Sequence, residues 1–343
     1  MERKNAWKGY DEAKSAKVDA LAKDYMDFLD NGKTERECVD TIVNQIEAAG
    51  YRELPELMKE GKKLSAGDKV YAVWMNKAVV MFQIGTKPMT EGLNILGAHI
   101  DSPRLDLKPN PLFEQADIAY LKPHYYGGIR KYQWGATPLA MHGVVGKKNG
   151  EMVEISIGEK EGEPQFCITD LLPHLASEQN GRKLGEGLKG EELNIIVGSI
   201  PFMGEDDEKI KTPVKLMAMK LLNEMYGITE KDFTRAEIEM VPAYKAVDVG
   251  LDRSLVGAYG QDDRVCAYTS MQAMLDSDVT DRTMCCILVD KEEIGSVGAT
   301  GMQSHFFENA VAEVMNLTGE YSELHVRRCL AHSCMLSSDV SSA

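Results

Sequence analysis

Two apolar runs that each end abruptly in charged residues constrain the fold of this chain more than any other feature. The first, Asn94-Ile95-Leu96-Gly97-Ala98-His99-Ile100-Asp101-Ser102, delivers a histidine and, two residues later, an aspartate. The second, Ile287-Leu288-Val289-Asp290-Lys291-Glu292-Glu293-Ile294-Gly295, empties into paired carboxylates. Short apolar runs without alternation belong to strands covered on both faces, as in a sheet flanked by helices. Side chains two residues apart in a strand share a face, so His99 and Asp101 are expected to point the same way at a strand end.

The surrounding pattern fits such a sheet. Ala13, Val18, Leu21, Ala22, Tyr25, Phe28 and Leu29 recur at helical spacing, and Asp30-Asn31-Gly32 stops the run. Thr34-Glu35-Arg36-Glu37 is a capping-box pattern opening a second helix that ends at Gly50. Residues 70–74 and 78–82 read as a hairpin around Met75-Asn76-Lys77. A stretch punctuated by proline and glycine then runs from Ser102 to Gly128. Up to about residue 245, short β-rich runs alternate with charged loops. Residues 186–192 and 204–209 are expected to be solvated surface. Strand and helix texture resumes with a strand at 247–251, a helix at 262–275 and a buried strand at 284–290. The glycine-rich turn 295–301 leads into a helix carrying Phe306, Phe307, Ala310, Val311, Val314 and Met315. Buried strands alternating with helices indicate an α/β fold with a mostly parallel sheet. The middle reads as a second, β-rich domain inserted into the first. The expected domains are 1–105 with 246–343, and 106–245 between them.

Composition narrows the function classes. At 343 residues the chain accommodates one large domain or two ordinary ones. With 39 Lys and Arg against 54 Asp and Glu, the net charge of -15 argues against a nucleic-acid binder. No apolar run approaches the roughly 20 residues that cross a bilayer. The amino terminus lacks the apolar core of a signal peptide, so a cytoplasmic protein is expected. Seven scattered cysteines form no CxxC pair, and buried reduced thiols are expected. Cys285 and Cys286, adjacent in a strand, should face opposite sides.

Sheets of this type place their ligand sites beyond the carboxyl ends of the strands. Three groups suit that position: His99 with Asp101, Asp262 with Asp263, and Glu292 with Glu293. Individually they have plainer readings. Asp262-Asp263 could cap the helix that follows, and Glu292-Glu293 could be an exposed loop. Together they supply a histidine, a carboxylate able to bridge two cations, and a spare carboxylate to serve as general base. That set suits a metal-assisted hydrolase. A glycosidase built on Glu292 would be metal-independent and would leave His99 unexplained. Gly295, Gly298 and Gly301 lack P-loop spacing, and no G-x-S-x-G element occurs.

These segments resemble the M18 family of metallopeptidases, the aspartyl aminopeptidase and aminopeptidase I group. The matching pieces are Gly97-Ala98-His99-Ile100-Asp101-Ser102-Pro103, Gly260-Gln261-Asp262-Asp263-Arg264, Asp290-Lys291-Glu292-Glu293-Ile294-Gly295-Ser296 and Ser337-Ser338-Asp339-Val340. Pro173-His174-Leu175-Ala176 is similar to a further family segment. The resemblance implies a zinc aminopeptidase acting on peptides, with an inserted dimerisation domain and dimers that build a dodecamer. It implies that His99 and Asp339 bind one ion, that Asp262 bridges two, and that Glu293 binds the second. Glu292 would be the general base and Asp101 the carboxylate orienting His99. Cobalt or manganese would suit the same ligands. Two departures stand out. Family chains run on beyond Ala343 and carry near their end a histidine that completes the second site. They also usually carry a histidine where Ser342 stands here. The sequence is therefore expected to be a truncated chain. Its alternative reading is an impaired relative that assembles and binds at most one metal. Glu178 stands where relatives often carry a histidine, which argues against acidic selectivity.

Overall fold

In the computed structural model, which describes residues 4–204 and 209–341, the chain forms two compact units. One comprises Met1–Ser102 and Lys245–Ala343; the other, Pro103–Tyr244, is a single stretch that interrupts it. Residues 205–208 of the expected solvated run, the first three residues and Ser342 lie outside the described residues.

The first unit opens with α1 (Glu12–Asn31), started by Asp11, whose carboxylate accepts the Lys14 N–H at 2.8 Å. Its buried positions Tyr25, Phe28 and Leu29 follow the helical spacing read from the sequence. α2 (Glu35–Ala48) begins with the capping box: the Thr34 hydroxyl accepts the Glu37 N–H, and the Glu37 carboxylate accepts the Thr34 N–H at 3.0 Å. Cys38, Ile42 and Ile46 form its buried stripe, and each such aliphatic burial contributes about 1.5–3 kcal/mol. Next come β1 (Arg52–Glu53) and α3 (Leu54–Glu60), a helix too short to leave a periodic signature. The expected hairpin is β2 (Lys69–Trp74) with β3 (Ala78–Gln83), and β4 (Asn94–His99) ends on the histidine.

The second unit contains β5 (Arg104–Gln115), β6 (Ile118–Tyr126), β7 (Leu139–Gly146), β8 (Met152–Ile157) and β9 (Cys167–Ile168). It continues with α4 (Ser177–Asn180), β10 (Ile195–Gly198), α5 (Pro213–Tyr226) and β11 (Ala236–Pro242). Seven strands form an antiparallel sheet in the order β8-β7-β11-β5-β6-β10-β9. Val214, Ala218 and Leu222 of α5 join the core of this sheet. The proline-punctuated stretch is a long strand, because the pairing of β5 with β6 slips between Leu107 and Leu112. That bulge brackets Pro109 and Pro111, which cannot donate to a ladder.

Back in the first unit, β12 (Val247–Val249) and β13 (Leu255–Gly257) make a two-stranded ribbon. α6 (Gln261–Leu275), β14 (Met284–Val289), α7 (Phe306–Thr318), α8 (Glu323–His332) and β15 (Cys334–Ser337) follow. The sheet runs β1-β2-β3-β14-β4-β15, and its β1–β2, β14–β4 and β4–β15 pairings are parallel. β14 lies between β3 and β4, which explains its unbroken apolar sequence. Cys285, Ile287 and Val289 enter one core cluster with Phe306, Val311 and Val314 of α7. Cys286 and Leu288 enter another with Phe28 of α1, Ile42 of α2 and Met271 of α6. The two cysteines face opposite sides of the sheet, as their adjacency requires. No helix among the described residues is long and apolar enough to cross a membrane.

Candidate metal centre

Three neighbouring parallel strands end at the same edge of the first unit's sheet. Val289 of β14 stands opposite His99 of β4, and Ser337 of β15 stands opposite Gly97. The residues that follow each strand therefore emerge side by side: Ile100 to Ser102, Asp290 to Glu293, and Ser338 to Asp339. Gly97 suits this packing, because a Cβ there would come 2.2 Å from the Met335 methyl carbon. One ligand atom each from His99, Asp262 and Asp339 lie within 4.8 Å of one another. A cavity of about 220 Å³ adjoins them, lined by His99, Glu292, Asp339, Ser296 and the apolar Met302 and Met335.

His99 is buried, and its ring is fixed from behind. Nδ1 lies 2.9 Å from the Asp101 carbonyl oxygen and 3.3 Å from Asp101 Oδ1. A carbonyl can only accept, so Nδ1 carries a proton, and whenever the ring is neutral Nε2 presents the lone pair. Nε2 is buried and has no hydrogen-bond partner. It stands 3.4 Å from Asp262 Oδ1 and 3.7 Å from Glu292 Oε2. Two ligands on a tetrahedral zinc with bonds of about 2.0 Å stand about 3.3 Å apart. An inward lone pair facing carboxylate oxygens at that spacing fits a divalent cation.

The carboxylates come from separate elements. α6 opens at Gly260 with no side-chain cap, and Asp262 and Asp263 hold non-helical backbone angles joined by a cis peptide. Asp262 therefore does not cap the helix; its half-exposed carboxylate turns toward His99. Asp101, fully buried, accepts the Glu292 N–H on Oδ1 and the Glu293 N–H on Oδ2, each at 3.2 Å. One carboxylate thus positions both the imidazole and the glutamate pair. Glu293 is close enough to Asp262 and His99 for their charges to act on it.

The electrostatics follow from crowding. Burial, reinforced by the Asp262 charge, pushes the Glu293 carboxyl up to about 7. Burial alone would disfavour the His99 imidazolium, but the hydrogen bond and charge of Asp101 outweigh it and raise the ring to about 9. Asp263, raised to about 6 chiefly by burial and against the opposing pull of a hydrogen bond from Cys266, accepts the His99 backbone N–H at 3.4 Å. Without a cation, the cluster relieves its negative charge by holding protons.

The structure thus gathers His99, Asp101, Asp262, Glu292, Glu293 and Asp339 at one sheet edge. Other downstream histidines lie elsewhere: His325 and His332 bond the carbonyls of Glu320 and Thr90, and exposed His305 pairs with Glu308. Sequence reasoning left Asp263 without a role of its own. Its only signal was the Asp-Asp doublet, which does not say which member is buried.

A family model described as aminopeptidase I zinc metalloprotease (M18) matches residues 28–343. A Clostridium acetobutylicum protein named probable M18 family aminopeptidase 1 is 53% identical over 343 residues, covering 100% of this chain and 73% of its own. The crystal structure of an M18-family aminopeptidase from Thermotoga maritima is similar with TM-score 0.92 and 44% identity, covering 100% of this chain and 73% of that one. Aminopeptidase I from Borrelia burgdorferi gives TM-score 0.84 and 38% identity over 98% of this chain and 76% of its own.

Proposed function

The chain belongs to the M18 family of zinc metallopeptidases, and from that premise we propose that it is an aminopeptidase whose centre is the cluster at His99. Its substrates are peptides with a free amino terminus. His99, Asp262 and Asp339 would hold zinc, and Glu293 with Asp262 would supply the ligands for a further ion. When bound, zinc supplies Lewis acidity, polarising the scissile carbonyl and making water more acidic. Glu292 accepts a proton from the attacking water and returns it to the leaving amine, a contribution of roughly 10²–10⁴-fold. Asp101 keeps His99 in the tautomer with an inward lone pair. Cobalt or manganese can replace zinc on this donor set.

The observation that carries this reading is His99 Nε2, buried without a hydrogen bond and facing carboxylate oxygens. Hydrolysis of aminoacyl-p-nitroanilides should stop on chelation and resume with zinc. Glu292→Gln should lose activity while keeping its metal. Activity that survives both treatments would rule the reading out.

The first unit is the catalytic domain and the second an assembly domain. Homo-oligomer formation is supported by exposed Leu171, Leu172, Leu175 and Leu184 of the second unit. A cytoplasmic setting is supported by the free cysteines.

A further inference from the structure

The loop that presents Glu292 and Glu293 is closed by a buried carboxylate that the mechanism above does not use. Asp290, the first residue past β14, is fully buried. Its Oδ1 accepts the Lys291 N–H at 2.8 Å, and its Oδ2 accepts the Thr300 hydroxyl at 2.6 Å. Thr300 is buried as well, so this hydrogen bond is short and shielded from water. Positive charge is at hand: Lys291 Nζ lies 3.4 Å from Oδ2. Behind it a buried ion pair joins Lys77 to Glu35 at 2.7 Å.

The bond ties together residues 10 apart at the two ends of the loop. Between them the backbone folds tightly, with the Ser296 N–H donating to the Lys291 carbonyl at 2.7 Å. A Cβ at Gly301 would lie 2.4 Å from the Ser296 carbonyl oxygen, so the returning backbone presses against the middle of the loop. The Trp74 indole N–H holds the Ala299 carbonyl at 2.8 Å. Asp101 holds the loop at the Glu292 and Glu293 amides. The Glu292 side chain is 47% exposed, so its place depends on backbone that is fixed elsewhere.

We propose that the Asp290–Thr300 hydrogen bond is a pin that sets where Glu292 and Glu293 stand relative to His99, making both pinned residues positioning residues of the centre. The proposal rests on the metallopeptidase reading above. Without the pin the loop keeps its Asp101 and Trp74 contacts but loses the bond that closes its two ends, and so shifts between them. Cation affinity and the glutamates' reach then fall together.

The test uses Co²⁺ as a spectroscopic probe of the whole chain, comparing wild type with Thr300→Val and Thr300→Ser. Thr300→Val should weaken Co²⁺ binding roughly 10–100-fold, the range for losing a group that orients ligands. It should also speed hydrogen exchange at the Glu292 and Glu293 amides while β14 stays protected. Thr300→Ser, which keeps the hydroxyl, should restore both. A Thr300→Val protein with wild-type affinity and protection overturns the pin, and so does a Thr300→Ser protein as weak as Thr300→Val. If Thr300→Val does not fold, Thr300→Ala carries the same comparison. Wild-type protein that takes up no Co²⁺ overturns the parent reading, whereas wild-type binding with an indifferent Thr300→Val overturns the pin alone.

Discussion

Replacing Asp101 with asparagine tests the idea that one buried carboxylate organises the centre. The change keeps the side chain's shape and removes its charge and one acceptor. Asp101 Oδ1 and Oδ2 each accept a backbone N–H, from Glu292 and Glu293. However the new amide is turned, its NH₂ faces one of those donors. Losing one charge-assisted bond in this setting costs about 1.5–3 kcal/mol, or roughly 10–150-fold in an equilibrium constant. Because the chain has two units, a single unfolding energy would mix effects, so the loss is better read as zinc affinity by chelator competition. Affinity should fall roughly 10–100-fold. A second readout has its own sign. In metal-free protein burial depresses His99 while Asp101 raises it, for a net value of about 9. Removing the Asp101 charge leaves burial dominant, so the imidazole titration followed by NMR should move down. Zinc affinity unchanged within twofold, with His99 still titrating near its wild-type value, would refute the reasoning.

Two other outcomes follow from the same groups. With His99 raised to about 9 and Glu293 to about 7, the metal-free centre holds protons near neutrality, and zinc must displace them. Affinity should therefore fall as pH drops, and calorimetry in buffers of different ionisation enthalpy should register proton release; none released at pH 7 would contradict the assignment. The raised His99 also stabilises metal-free protein fully below about pH 6.5, a contribution lost as pH climbs through about 9. Thiol labelling checks the cores: Cys334 is exposed, whereas Cys286 is buried and pushed up to about 12. A thiol reagent should react quickly at Cys334, Cys334→Ser should remove that phase, and labelling of Cys286 in folded protein would count against the sheet described.

Much of this architecture was legible because it is periodic. α1 and α2 showed their stripes and the capping box, and β14 showed that it is sandwiched by alternating nothing polar between Met284 and Val289. The His99 and Asp101 pairing was visible as a strand-end pattern, although Asp101 lies beyond the last residue of β4 and reaches Nδ1 from the turn. What stayed hidden has no period. β5 runs through two prolines because a bulge absorbs them, and α3 is only 7 residues long. The doublet at Asp262 and Asp263 also fits a helix start, and only the backbone angles turn one carboxylate outward and bury the other. The hydrogen bond from Thr300 to Asp290 depends on loop shape, which spacing alone does not encode.

The convergence of β4, β14 and β15 ties the centre to the order of synthesis. Its triad of donor atoms comes from positions 99, 262 and 339, so it stays incomplete until β15 docks beside β4. If these residues hold zinc as proposed, a chain emerging from the ribosome would offer only part of that donor set until then. On the proposed assignment, tight metal uptake would report that the late strand has found its place.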